Sequence, residues 1–150
     1  MISQTEFDAM MSDPDKVIDG DLTWGEDEDH SPALEFRTRI LSSAGYPLFV
    51  VGRVNPYADT LSFTLIHQTS GRVYGLDLGA DHHNPTCQRV GEKHKHRWTE
   101  QYRDKEAYNP VDITEPLVNP VQVWKQFCAE AAINHRGVLH PPHIQEELPL

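Results

Sequence analysis

Several side chains that can ligate metal or transfer protons lie close together in the middle of the chain. Four of the nine histidines, His82, His83, His94 and His96, fall within fifteen residues, and Glu100 follows four residues after the last of them. Successive side chains of a β-strand point to opposite faces, so His94, His96 and Glu100 are expected to share one face. Imidazole nitrogens suit zinc, nickel, copper or iron, and a carboxylate adds an oxygen ligand. The pattern predicts a divalent transition-metal site made of His82, His94, His96 and Glu100.

The same histidines support a second chemistry that needs no metal. A histidine, with an ordinary pKa of about 6.5, can act as a general acid or base near neutral pH. A cationic neighbour can stabilise the charge that develops at phosphorus during phosphodiester hydrolysis. Lys95 and Arg97 have odd parity and point away from the histidines on a regular strand, which leaves Arg89 in the preceding loop. The candidate catalytic set is therefore His82, His94, His96 and Glu100, supported by Tyr102 and Arg89.

A third interpretation makes the protein a binding or regulatory module in which the histidines are structural. Basic side chains recur along the predicted strands and would line one outer face of the sheet if the registers agree: Arg37, Arg39, Arg53, Lys95 and Arg97. Such a face suits an anionic partner, either nucleic acid or an acidic protein. The plainer alternative is a solvated face with cross-strand ion pairs, for example with Glu35.

The negative charge of the chain is concentrated at its beginning. The formal net charge is -10, and residues 1–35 contain eleven acidic residues against one basic residue, Lys16. Residues 36–150 contain twelve of each. An acidic segment is thus joined to a neutral body, and the loop at 19–32 is predicted to be exposed or partly disordered. A sharper possibility is that this segment folds over the basic face as a lid and competes with an anionic partner.

The elements expected to position these residues follow from the hydrophobic pattern. Ser3 and Glu6 form a capping box for a short helix over residues 4–11. Alternating apolar residues predict strands over 34–40, 46–54, 61–65, 72–78 and 93–102, joined as an antiparallel meander. Asn119-Pro120 begins a helix to about Ile133, which packs on the sheet. The fold class is therefore α+β, with an antiparallel sheet of about five strands and two helices.

Length and composition predict a single domain over residues 1–150. Its parts are an acidic N-terminal segment (1–32), a sheet (33–103), a helix (119–133) and a tail (137–150). The sequence lacks a membrane-spanning apolar run and a basic-then-apolar signal region, so a cytoplasmic location without membrane association is expected. Cys87 and Cys128 are then expected to be free thiols.

Two resemblances bear on the histidine region. Cupin proteins use His-x-His-x3-Glu to bind metal, but the glycine frame around that motif is missing here. The chain over residues 72–130 also resembles an uncharacterised family of small bacterial and phage proteins. That resemblance is carried by His82-x-Asn84-Pro85 followed by His94-x-His96-x3-Glu100-x-Tyr102-x-Asp104-Lys105-x-Ala107-Tyr108.

The second resemblance implies a helix, a run of strands and a C-terminal helix, and it brings no assigned activity. It favours His82 over His83 as a site residue and adds Asp104 and Lys105 to the positions of interest. The chain departs from the pattern before His94, where Cys87-Gln-Arg-Val replaces the usual glycine-containing turn.

Overall fold

The computed structural model describes residues 1–143 and has two helices and two sheets. The helices are α1 (Gln4–Ser12) and α2 (Pro120–Glu130). The strands are β1 (Lys16–Asp19), β2 (Gly25–Glu26), β3 (Leu34–Arg39), β4 (Leu48–Asn55), β5 (Thr60–His67), β6 (Gly71–Leu78), β7 (Lys93–Arg97), β8 (Ala107–Tyr108) and β9 (Ile133–Arg136). A seven-stranded antiparallel sheet has the order β2-β3-β4-β5-β6-β7-β8, and β1 pairs in parallel with β9 in a separate two-stranded sheet.

The mixed α and β architecture and the antiparallel meander are confirmed, but the sheet has more strands than predicted. The two extra strands, β2 and β8, contain two residues each and lie at the two edges. Alternation cannot be recognised over so few residues, which is why the sequence pattern missed them. The predicted capping box of α1 is present, whereas Asn119 makes no side-chain cap at α2.

One face of the large sheet carries the hydrophobic core. A row of paired residues crosses neighbouring strands on this face, from Phe36 through Gly52 and Phe63 to Leu76. Trp124 of α2 packs against Phe36 and Phe63, with ring centroids 5.5 and 5.1 Å away. Gly52 leaves the space that the Phe36 ring occupies, because a Cβ there would lie 2.2 Å from that ring. The helix therefore covers this face of the sheet.

The basic residues predicted to form one stripe are divided between the two faces. Lys95 continues the core row after Leu76 and is completely buried, with its ammonium 2.5 Å from Asp112 and 2.6 Å from Glu130. Arg53 lies on the opposite face and forms an ion pair with Glu35 at 2.8 Å. The cross-strand pairing that the sequence suggested for Glu35 is thus present.

Backbone hydrogen bonds join the N-terminal segment to the last described residues of the chain. Leu22 exchanges hydrogen bonds with Val138 and His140, so the first residues of the predicted tail are docked. The remainder of that tail, residues 144–150, lies outside the described residues. Both cysteines are described and neither forms a disulfide. Within residues 1–143, neither helix has the length and apolar character needed to cross a membrane.

Candidate functional site

Strand pairing brings His94 and His96 to the face of the sheet opposite the core. His94 of β7 pairs with Asp77 of β6, and His96 pairs with Gly75. The two histidines project away from Lys95, as alternation along the strand predicts. Both are buried, with 2% of each residue exposed. Their rings bond to the segments that precede and follow β7, at Gly91 and Asp104.

The segment before β7 is a closed loop that places His82 beside the two strand histidines. Its ends are joined by Gly79 N–H donating to the Glu92 carbonyl at 2.8 Å, and Val90 N–H donates to the His82 carbonyl at 2.9 Å. The His82 ring centroid lies 5.5 Å from that of His94 and 4.6 Å from that of His96. One ring nitrogen of each histidine lies within 4.8 Å of the corresponding atom in the other two.

Each of the three rings has one nitrogen anchored by a backbone carbonyl. The Nδ1 atom of His94 donates to Gly91 at 3.0 Å, and the Nδ1 atom of His96 donates to Asp104 at 2.8 Å. The Nε2 atom of His82 donates to the Lys105 carbonyl at 2.8 Å. A carbonyl oxygen only accepts hydrogen bonds, so these nitrogens carry the protons. In the neutral rings, the remaining nitrogens therefore present lone pairs: Nε2 of His94 and His96, and Nδ1 of His82.

A carboxylate outside the predicted set lies beside two of the three histidines. Oδ2 of Asp77 lies 3.2 Å from Nε2 of His94 and 3.4 Å from Nε2 of His96. Burial would raise the pKa of Asp77, but the imidazoles of His94 and His96 beside it outweigh that effect and lower the pKa from its usual value. For His94, burial alone would lower the pKa, because it disfavours the charged imidazolium. The contacts with Asp77 and the Gly91 carbonyl outweigh burial and raise the pKa of His94. The signal in the sequence was an acidic residue between two apolar ones, Leu76 and Leu78.

A β-bulge brings a guanidinium to the same face. The register of β5 with β6 shifts after the Leu65–Tyr74 pair, so that Ile66 pairs with Arg72 and Val73 is skipped. A bulge reverses the alternation that follows it, so Arg72 lies on the histidine face. Its Nε lies 3.1 Å from Oδ2 of Asp104, and its Nη1 lies 3.9 Å from Asp77. Sequence parity alone would place Arg72 with Tyr74 on the core face.

Residues of the family pattern join the histidine loop to the segment that follows β7. The Asn84 side chain donates to the Ala107 carbonyl at 2.8 Å and accepts from its N–H at 2.7 Å. The side chains of His82 and Asn84 therefore bond to the backbone of Lys105 and Ala107, two residues apart in the segment after β7. The loop turns at Cys87, whose N–H donates to the Asn84 carbonyl at 2.7 Å and whose φ is 66°. Cys87 lies where the pattern has a glycine-containing turn, and it adopts a backbone conformation that glycine favours.

Three of the predicted site residues lie away from the histidine group. Glu100 follows the end of β7, and its Oε1 accepts from the backbone N–H of Gln4 at 2.6 Å. Arg89 is exposed and pairs with Asp81, which also accepts from two loop N–H groups. Tyr102 lies in the turn after the strand, where its backbone N–H donates to Thr99 Oγ1. His82, His94 and His96 are thus the members of the predicted set that the fold brings together.

Comparison with protein families identifies the family to which the chain belongs. The model of a family of unknown function (DUF6978) matches residues 2–133. No curated protein and no solved structure matches the chain. The match spans both helices, the large sheet and all three clustered histidines.

Proposed function

The chain belongs to DUF6978, a family of unknown function, and we propose that it binds a divalent transition-metal ion through His82, His94 and His96. The observation that carries this proposal is the joint orientation of the three rings. Each has one nitrogen anchored by a carbonyl, and the three remaining nitrogens come from rings that pack together. In metal sites, a hydrogen bond from the outer nitrogen fixes the tautomer and aims the inner nitrogen at the metal.

The donor set favours zinc or a neighbouring transition metal over calcium or magnesium. Three imidazoles are borderline donors, whereas calcium and magnesium select oxygen. Thiolates are not part of the group, because Cys87 is exposed at the loop turn and Cys128 is buried in α2. Two ligands spaced by one residue on a strand, with a third from a loop, provide a rigid base for the ion.

The burial of the histidines favours metal binding over metal-free hydrolysis of a phosphodiester. A general acid or base must reach the proton that it transfers. His94 and His96 are almost completely buried, and their ring nitrogens already contact Asp77 and backbone carbonyls. Arg89, the cation expected to assist hydrolysis, is paired with Asp81 instead. The remaining alternative is a purely structural network in which a proton takes the place of the metal.

Metal content and zinc titration test the proposal. We expect the purified full chain to contain close to one equivalent of a transition metal, or to bind one equivalent of Zn²⁺ after dialysis. His96→Ala should lose that binding while retaining its far-ultraviolet circular dichroism. His83→Ala is the matched control, because His83 is exposed and lies next to His82. A wild-type chain that contains no metal and binds no Zn²⁺ would establish the proton network and refute the metal site.

A further inference from the structure

We propose that Asp77 is a fourth ligand of this metal and closes the site with a carboxylate oxygen, an inference that rests on the proposed function. The sequence pattern suggested Glu100 for this role, but Glu100 lies beside Gln4. Asp77 comes from β6, the strand next to β7, and its partner in the register is His94. The ligand set would then be three imidazoles and one carboxylate.

Two distances from Asp77, to His94 and to His96, match edges of a coordination tetrahedron. Metal–ligand bonds of about 2.0–2.1 Å in tetrahedral geometry place neighbouring ligand atoms about 3.3–3.4 Å apart. The Oδ2 atom of Asp77 lies 3.2 Å from Nε2 of His94 and 3.4 Å from Nε2 of His96. Charge-assisted N–H···O hydrogen bonds are shorter, at about 2.7–2.9 Å. The spacing therefore fits three ligands of one ion better than a carboxylate hydrogen-bonded to two imidazoliums.

The charges around Asp77 lead to the same assignment. One oxygen, Oδ2, faces both histidines, which is the geometry of a carboxylate that binds through a single atom. Arg72 is the nearest guanidinium, but its shorter contact is with Asp104, at 3.1 Å against 3.9 Å to Asp77. A partly buried carboxylate needs a positive charge close by. A divalent ion among the three histidines would supply it.

Four protein ligands would make the ion structural. Structural zinc sites are four-coordinate and filled by side chains, whereas catalytic sites keep one position for water or substrate. The four ligands come from β6, β7 and the loop over residues 79–92. The ion would therefore attach that loop to the sheet through His82. This explains why a loop of this length is tied down at its ends and at its turn.

Cobalt substitution tests the role of Asp77 directly. We expect Co²⁺ bound to the full chain to give the intense visible bands of tetrahedral coordination. Asp77→Asn should weaken Zn²⁺ binding by more than about 100-fold, beyond the 10–100-fold typical of residues that only support a ligand. The cobalt bands should change in the same variant. Glu92→Gln is the control, since it removes an exposed carboxylate from the same loop and should change neither measurement.

A second variant protects the test against misfolding. Asp77→Cys should bind Co²⁺ and add a thiolate-to-cobalt charge-transfer band that wild type lacks, which arises only if the side chain at position 77 coordinates the ion. If Asp77→Asn weakens binding by 100-fold or less and leaves the cobalt bands unchanged, Asp77 is a supporting residue and this inference is wrong. If wild type itself takes up neither metal, the proposed function fails, and the inference fails with it.

Discussion

Asp77 determines the charge balance among the clustered histidines. Its carboxylate contacts His94 and His96, and His94 also donates to the Gly91 carbonyl. In the metal-free protein, both nitrogens of His94 face acceptors, which is why the pKa of His94 is raised. A proton and a metal ion would therefore compete for the same nitrogen, and metal binding releases protons in such sites.

The pH dependence of stability follows from that arrangement. Because the folded-state pKa of His94 is raised, its stabilising contribution is complete below the unfolded value of about 6.5 and is lost as pH rises through the folded value. The pKa of Asp77 is lowered, so its contribution is already complete above about pH 4. We expect the Tm of chelator-treated protein to fall as the pH is raised from about 6.5. His94→Gln should flatten this decline, and a Tm that rises over the same range would contradict the assignment.

The two cysteines should differ sharply in reactivity. Cys87 is exposed at the turn of the loop, whereas Cys128 is buried in α2 and burial raises its pKa. Thiolates are the reactive species, so Cys128 is disfavoured by both access and protonation. A thiol reagent should modify one cysteine rapidly in the folded protein and both in denaturant. Cys87→Ser should abolish the rapid phase; a rapid phase that persists in this variant would mean that Cys128 is accessible.

At the level of single residues, the sequence predicts the face to which a side chain points wherever a strand alternates strictly. His94 and His96 share a face because β7 is regular between them. Glu100 has the same parity, but β7 ends at Arg97, and parity carries no information beyond the end of a strand. Lys95 was expected at the surface because it is charged. It is buried because the helix covers the lysine side of the strand, which alternation alone does not reveal.

Among the elements, the loop over residues 79–92 and the short strand β8 depend on each other. Asn84 makes two hydrogen bonds to the backbone of Ala107, and His82 bonds to Lys105 just before it. These contacts supply β8 with partners on the side that faces the loop. The side chains of His82-x-Asn84-Pro85 are thus joined to the backbone of Asp104-Lys105-x-Ala107-Tyr108 by hydrogen bonds.

Removing the Asn84 side chain should loosen the site without touching a ligand. Asn84→Ala leaves the N–H and carbonyl of Ala107 without partners, which costs about 1–3 kcal/mol for each buried group left unpaired. We expect reduced stability in urea and weaker Zn²⁺ binding, because His82 is carried by the same loop. Gln88→Ala, an exposed change in that loop, serves as the control. Unchanged zinc affinity in a destabilised Asn84→Ala protein would show that the loop position of His82 does not depend on this contact.

The first helix ends on a buried lysine. The ammonium of Lys16 donates to the carbonyls of Met10, Met11 and Asp13, at 2.5, 3.0 and 2.7 Å. Free carbonyls at a helix C-terminus need such donors. Lys16→Met should therefore lower the free energy of unfolding by about 1.5–3 kcal/mol, measured by urea denaturation. Lys125→Met on the exposed side of α2 should change it little, and equal effects of the two changes would argue against a capping role.

The order of the major elements was predictable, whereas departures from regularity were not. Strands β3 to β6 have clear apolar alternation, and the tendency of consecutive strands to pair favours an antiparallel meander. The bulge at Val73 turns the Arg72 side chain to the histidine face, and no residue type in the sequence indicates a bulge there. Strands β1 and β9 pair although they are far apart in the sequence. A four-residue strand with so distant a partner leaves no local pattern from which the pairing could be predicted.

At the level of the whole molecule, the large sheet has two differently covered faces. Trp124 and Phe127 of α2 pack on one face to make the core, and loops cover the histidines on the other. The core and the site lie on opposite faces of the sheet, so the histidine rings do not take part in the core packing. Variants of the histidines are therefore expected to retain the overall fold.

Binding of the proposed ion should raise global stability by mass action. At a free Zn²⁺ concentration 100 times the Kd, the gain is about 2.7 kcal/mol. For a domain of this size, that corresponds to a rise in Tm of about 5–10 °C. Differential scanning calorimetry of the chelator-treated chain with and without added Zn²⁺ measures it. His83→Ala should show the same rise and His96→Ala none, whereas a rise of equal size in His96→Ala would indicate binding elsewhere.

The parallel pairing of β1 with β9 has a consequence for how the chain acquires its structure. Val17 meets Leu41 in a single bridge, but the four-residue ladder of β1 requires residues 133–136. During synthesis, β1 must therefore wait until residues 133–136 have left the ribosome, while the meander that follows it can already assemble from consecutive strands. Strand β1 is thus made before the meander and is among the last parts to reach its native pairing.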